Sequence, residues 1–155
     1  MSEHDPFNES ELAHPRAREL MSEELFFDCT DEDAPFGSDE GSDAYFEWRE
    51  WRKENKSNSL TDCFEWILDG NLSGYNENLC TEVQIKIDQT NPDNAFLAEH
   101  YDIYTLDTTI IATALGQLLD EGIIDKDAKP YIMVALNRQM NSNILDAIVR
   151  VVNAA

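Results

Sequence analysis

The residues at 45–53 carry the most distinctive side-chain chemistry of the chain. This stretch holds two of the three tryptophans and three of the eleven basic side chains. Aromatic rings beside arginine can stack on a base or hold a phosphate, and Trp, Tyr and Arg dominate the hot spots of protein interfaces. The spacing of Ala44, Trp48 and Trp51 is also typical of the core face of an amphipathic helix, whose basic groups would pair with the acidic segment just before it. A core helix with local ion pairs, a protein interface and an anion or nucleic-acid site therefore all remain open.

An acidic segment at 28–43, rich in Asp, Glu, Gly and Ser, precedes this stretch. Its carboxylates offer the hard oxygen ligands that Ca²⁺ prefers, but an EF-hand loop needs acids at its first, third and fifth positions and glycine at its sixth. Counting from Asp31 places Pro35 and Phe36 at the fifth and sixth positions, and counting from Asp39 places a glycine at the third. The pattern therefore favours a long solvated loop that caps the following helix, and we predict no metal site.

Other catalytic patterns are weak or absent from the sequence. The chain has no G-x-x-x-x-G-K-[ST], G-x-G-x-x-G, H-E-x-x-H or C-x-x-C motif. Cys63 falls on the inner face of a predicted helix, and the carboxylates around Cys29 would raise the pKa of its thiol. His100 and Asp102 are too close in sequence to face each other on a helix. With 32 acidic residues, any single pair of carboxylates carries little information. We therefore predict a non-enzymatic protein without a cofactor.

The net charge is −21, from 32 acidic and 11 basic side chains, and the sequence pI is about 4.1. The first 50 residues alone contribute −13, from 16 acidic and 3 basic side chains. Such a field repels duplex DNA and anionic membranes and attracts basic proteins. We therefore expect a basic protein partner, with no direct nucleic-acid or membrane binding, and the sequence leaves the oligomeric state open. The predicted interaction residues are Asp31, Glu32, Asp33, Asp39, Glu40, Asp43, Trp48, Arg49, Trp51 and Arg52.

Hydrophobic periodicity predicts six to eight helices joined mostly by short turns. The helices are expected from Pro15, from a cap at Ser42 or Asp43 to Glu54, from Thr61, near Phe96, over 106–121, over 126–140 and over 143–153. Val83, Ile85 and Ile87 alternate like a strand, but Thr81 and Gln84 make a capping-box pattern that favours a helix. The expected fold is a mainly α, single-domain multi-helix bundle over 1–155, with a flexible N-terminus at 1–9 and room for one short strand pair.

Two segments resemble a known family. Ala34-Pro35-Phe36-Gly37-Ser38-Asp39-Glu40-Gly41-Ser42-Asp43-Ala44-Tyr45 and Leu106-Asp107-Thr108-Thr109-Ile110-Ile111-Ala112-Thr113-Ala114-Leu115-Gly116-Gln117 are similar to uncharacterised bacterial proteins of the YfeS-like type. The acidic segment also resembles the start of small bacterial domains of unknown function, some of them similar to immunity-type proteins. The YfeS-like resemblance covers residues 5–140, implies a cytoplasmic bacterial protein and supplies no catalytic residues.

Cysteine usage and the character of the N-terminus predict a cytoplasmic protein. The three cysteines are an odd number, Met1–Asp5 show no signal-peptide pattern, and no apolar run approaches the roughly 18–20 residues that span a bilayer. The leading hypothesis is an acidic interaction protein that binds a basic partner as an immunity protein or a charge mimic does. The alternative is an enzyme or small-ligand binder with a pocket between the 28–43 loop and the Trp48/Arg52 helix. A third hypothesis is that the acidity serves solubility alone.

Overall fold

The computed structural model describes residues 5–28, 34–91, 103–139 and 143–155. Within these ranges the chain forms seven α-helices and no β-strand, which confirms the mainly α prediction. The helices are α1 (Pro15–Leu20), α2 (Asp39–Glu54), α3 (Leu60–Ile67), α4 (Glu82–Thr90), α5 (Ile103–Glu121), α6 (Lys129–Arg138) and α7 (Asn143–Ala154). Short 3₁₀ turns lie at Ser10–Leu12, Glu24–Phe27, Leu72–Gly74 and Lys126–Ala128.

Helix α5 lies at the centre of the bundle and packs against α1, α2, α3 and α6. Twelve of its nineteen residues are buried, as expected for a helix that is apolar on nearly every side. Its closest neighbour is α2, and Gly116 permits that approach. A β-carbon at Gly116 would lie only 3.0 Å from the ring of Tyr45 and 3.1 Å from that of Trp48. The absence of a side chain at Gly116 therefore allows α2 to pack close to α5.

The capping residues decide two segments that the sequence left uncertain. Thr81 accepts a hydrogen bond from the backbone N–H of Gln84 at 3.2 Å, so the strand-like alternation over 81–89 belongs to α4. The short strand pair that the prediction left room for is absent from the described residues. Helix α2 begins earlier than predicted, because Ser38 rather than Ser42 or Asp43 caps it by accepting from the N–H of Gly41 at 3.1 Å.

The N-terminal segment packs against the bundle where it is described. Phe7 is only 3 % exposed, and its ring centroid lies 5.3 Å from that of Tyr45 and 5.6 Å from that of Phe46. Phe7 therefore belongs to the hydrophobic core, although it lies within the segment 1–9 that was predicted to be flexible. Residues 1–4 and the predicted helix near Phe96 lie outside the described residues.

A buried carboxylate joins α5 to α6 and to the loop before α4. The side chain of Asp107 is fully buried and accepts hydrogen bonds from Arg138 Nε (3.0 Å) and Nη2 (3.2 Å), from Gln139 Nε2 (2.7 Å) and from the hydroxyl of Tyr75. Arg138 also donates to the carbonyl of Leu79 at 3.1 Å. Every oxygen of this carboxylate is satisfied, which is the condition for a buried charge to be tolerated.

Among the described helices, none combines the length and apolar character needed to cross a membrane.

Candidate functional site

Helix α2 carries two stripes of side chains with different roles. Residues 45, 48, 49 and 52 recur at i, i+3, i+4 and i+7 and face the C-terminal end of α5. Residues 40, 43, 44 and 47 repeat the same spacing five residues earlier, which places them about 140° away around the helix. The candidate site residues of α2 therefore divide between two surfaces.

The first stripe forms a hydrogen-bond network around Asp120. Its carboxylate accepts from the hydroxyl of Tyr45 (2.6 Å), from Nε1 of Trp48 (3.1 Å) and from Nε and Nη2 of Arg49 (3.2 and 3.1 Å). Burial, reinforced by the hydrogen bond to Asp120, raises the pKa of Tyr45 well above its ordinary value. Tyr45 therefore serves as a neutral donor, and the network fixes α2 on α5.

Arg52 forms a second paired contact one turn further along α2. Its Nε and Nη2 donate to the two carboxylate oxygens of Glu121 at 2.7 and 2.9 Å, the bidentate geometry that arginine favours. Burial alone would raise the pKa of Glu121, but hydrogen bonds from Arg52 and Gln117 outweigh it and hold this pKa below its ordinary value. Glu121 is therefore a structural carboxylate that stays ionised.

The structure gives Arg49 and Arg52 carboxylate partners on α5, which were not among the partners considered from the sequence. In the part of the chain that the structure describes, the carboxylate partners of the two arginines are Asp120 and Glu121, with Asp5 at 3.8 Å from Arg49. Asp39, Glu40 and Asp43 of the segment lie on the first two turns of α2, on a different side of that helix from the arginine stripe.

Trp48 and Trp51 are also not surface contacts, although both are predicted interaction residues. Trp48 is 1 % exposed and Trp51 is 8 % exposed, so their rings belong to the core. The core-helix interpretation of the aromatic-basic stretch is the one that the structure supports. Cys63 is likewise buried, and burial raises the pKa of its thiol to about 12, which makes it an apolar packing group as expected.

The second stripe of α2 lines a groove, which we call the acidic groove. Its cavity volume is about 570 Å³. Glu40, Asp43, Ala44 and Glu47 line it from α2, Trp66, Ile67 and Asp69 from the end of α3, and Thr105, Leu106 and Thr109 from the start of α5. Four of these ten residues are acidic and none is basic, so the groove concentrates negative charge over a partly apolar floor.

The four groove carboxylates differ from the structural ones in lacking a basic partner. Within the described ranges, no Lys or Arg forms an ion pair with Glu40, Asp43, Glu47 or Asp69. Burial, together with the negative charge of Asp43, raises the pKa of Glu47 above its ordinary value. The negative charge of Asp43 therefore disfavours the ionised form of Glu47, and a cation bound beside these two carboxylates would relieve that repulsion.

Two groove residues that the sequence analysis missed lie at the end of α3. Trp66 is 50 % exposed, because the buried stripe of α3 runs through Leu60 and Phe64 and leaves position 66 outside it. Asp69 has a φ of +52°, in the left-handed region that only a few side chains other than glycine tolerate, Asp and Asn among them. The position of Trp66 off the apolar stripe was the available signal in the sequence.

Three predicted interaction residues, Asp31, Glu32 and Asp33, lie outside the described residues, whereas Asp39, Glu40 and Asp43 occupy the first two turns of α2. Among the residues that the structure describes, no group of three or more His, Cys, Asp or Glu side chains has the arrangement of a metal site.

No family model, curated protein or solved structure matches this chain. The YfeS-like resemblance therefore stays a prediction.

Proposed function

We propose that this chain is a non-enzymatic acidic interaction protein that binds a basic protein partner in the acidic groove, as an immunity protein or a mimic of nucleic-acid charge does. One contrast carries the proposal. The carboxylates that hold the bundle together, Asp107, Asp120 and Glu121, all have arginine partners, whereas the four groove carboxylates have no basic partner among the described residues.

The half-exposed ring of Trp66 supports the same proposal. Tryptophan is strongly enriched at the centres of protein interfaces, and its face attracts the guanidinium or ammonium group of a basic side chain. In the groove this ring lies in the same wall as Asp69 and across from the acidic stripe of α2. A cationic side chain entering the groove would therefore meet both an aromatic face and carboxylates.

The net charge of −21 supports fast association with such a partner. A protein field of this size raises the association rate of an oppositely charged partner by about 10–1,000-fold at low salt. Between about 0.01 M and about 0.15 M salt the Debye length falls from about 30 Å to about 8 Å, and the advantage falls with it. We keep in this proposal the cytoplasmic location that the sequence predicts and the bacterial origin that the YfeS-like resemblance implies.

The test is a binding titration with a synthetic peptide rich in Arg and Lys. Calorimetry and the fluorescence of Trp66 measure the affinity. The triple variant Glu40→Gln/Asp43→Asn/Glu47→Gln should bind at least about threefold more weakly, from three exposed ion pairs worth about 0.2–1 kcal/mol each. Its matched control, Glu19→Gln/Glu54→Gln/Glu77→Gln, removes the same charge from exposed sites outside the groove.

The control should keep the affinity of the unmodified protein to within about twofold, because its groove carboxylates are intact. Both triple variants have the same net charge, so a difference between them comes from the groove. Equal weakening by the two variants would show that only net charge matters and would reject the groove. A peptide in which Glu replaces every Arg and Lys should not bind at all.

The groove volume of about 570 Å³ favours one second candidate, a small polycationic ligand. This site differs from the pocket predicted beside Trp48 and Arg52, because neither of those residues lines the groove and Trp66 does. A linear polyamine serves as the probe in the same titration. Binding of the polyamine at the groove, with no binding of the basic peptide, would replace the proposed protein partner with a small ligand.

A further inference from the structure

The carboxylates that α2 contributes to the acidic groove form a row with a fixed spacing. Glu40, Asp43 and Glu47 lie at i, i+3 and i+7 on one face of the helix. At a rise of about 1.5 Å per residue, they are separated along the axis by about 4.5 Å and then about 6 Å. The row is therefore about 10.5 Å long and follows the direction of α2.

We propose that the acidic groove binds one α-helix of the partner, lying along α2, whose arginines or lysines recur at i, i+3 and i+7. This inference rests on the proposed function and specifies the partner's shape. In a helix parallel to α2, side chains at i, i+3 and i+7 have the same axial spacing as the row, so three cations meet three carboxylates in one register. Charge complementarity and this shared spacing identify the occupant.

An extended segment fits the same row less well. Side chains on one face of a strand are about 6.6–6.8 Å apart, so three of them cover about 13 Å and match the row's spacings of about 4.5 and 6 Å less closely than a helix does. The groove floor also suits a helix. Ala44 and Leu106 are almost fully buried beneath it, and Trp66 and the partly buried Ile67 supply the exposed apolar surface. A helix with one apolar position beside its basic stripe would contact both surfaces, as in other helix-in-groove complexes.

The inference is tested with three peptides of identical composition, each about 15 residues long and rich in alanine so that it forms a helix in isolation. The first carries three arginines at i, i+3 and i+7. The second carries them at i, i+2 and i+5, which distributes them around the helix. In the third, the first spacing is interrupted by a D-amino acid that breaks the helix. Circular dichroism establishes the helical content of each peptide.

The first peptide should bind the intact protein about five- to tenfold more tightly than the other two at low salt, because only it forms three simultaneous ion pairs. Glu47→Gln should reduce this preference to about twofold, whereas the control Glu77→Gln should leave it unchanged. Trp66→Phe should abolish the fluorescence change and show that the signal comes from the groove.

The outcomes separate this inference from the proposed function. Equal affinity of the three peptides, with weakening by the groove triple variant, would overturn the helix inference and leave the basic partner in place. Tighter binding of the helix-broken peptide would assign the groove to an extended segment instead. No binding of any peptide under low-salt conditions would overturn both proposals.

Discussion

Substituting Asp107 by alanine should be among the most destabilising single changes in the described bundle. The carboxylate is fully buried and accepts four hydrogen bonds, two of them from Arg138, whose own side chain is 16 % exposed. Without it, the guanidinium becomes a largely buried charge with no counter-ion, which costs about 3–5 kcal/mol. Native proteins have a free energy of unfolding of about 5–15 kcal/mol, so Asp107→Ala should remove a large part of it.

Urea unfolding followed by far-ultraviolet circular dichroism measures this loss. The control is Glu23→Ala, which removes one partner of an exposed ion pair with Arg150 and should cost less than about 1 kcal/mol. The double variant Asp107→Leu/Arg138→Met replaces both charges by apolar groups and should recover much of the lost stability. A loss below about 1 kcal/mol for Asp107→Ala, equal to that of the control, would refute the reasoning.

Three further predictions concern a helix end, an ion pair and the groove. Gly122 and Gly70 both have a positive φ, of +77° and +81°. Gly122→Ala should destabilise the protein more than Gly70→Ala, because the β-carbon at position 122 would collide with the imidazole of His14, whereas the space at position 70 is open. Thermal unfolding should show about 1–2 kcal/mol lost at position 70 and about 1–3 kcal/mol more at position 122. Glu121→Gln should lower the free energy of unfolding at neutral pH. The loss should shrink as the pH falls through the lowered pKa of Glu121, because the carboxylate of the unmodified protein is then protonated and no longer pairs with Arg52. A loss that does not depend on pH would contradict this. Glu47→Gln should raise the free energy of unfolding at neutral pH by less than about 1 kcal/mol, because a carboxylate with a raised pKa disfavours the folded state when it is ionised. The same variant should weaken peptide binding. A lower free energy of unfolding would contradict this reasoning.

The local sequence predicted the helices well where one residue controls an end. Pro15 starts α1, and Gly122 with its positive φ ends α5, as their residue types indicated. The predicted start of α2 was wrong by four or five residues, since Ser38, Ser42 and Asp43 are all good caps. Only the docking of the turn at 34–37 against Gly41 selects Ser38, because Gly41 has no β-carbon to collide with the carbonyl of Pro35.

The candidate site was predicted only in part. The acidic character of Glu40 and Asp43 is evident from the sequence, and the helical spacing from there to Glu47 follows once α2 begins at Asp39. Trp66 and Asp69 were not predicted as site residues, because the sequence around them does not indicate that α3 ends beside α2 and α5. The sequence left open whether Trp48 and Trp51 belong to the core or to an interface, because burial depends on which neighbour covers a helix face.

By itself, the sequence determined the helical class, the buried character of α5 and the excess of negative charge, because each follows from composition or from spacing within a few residues. The tertiary structure alone decided which carboxylates are neutralised. Arg49 reaches Asp120 across 71 residues of chain, while Glu40, Asp43 and Glu47 on the same helix are left facing a groove. The reason is that an ion pair depends on distances of a few ångströms in the folded bundle, which no local pattern specifies.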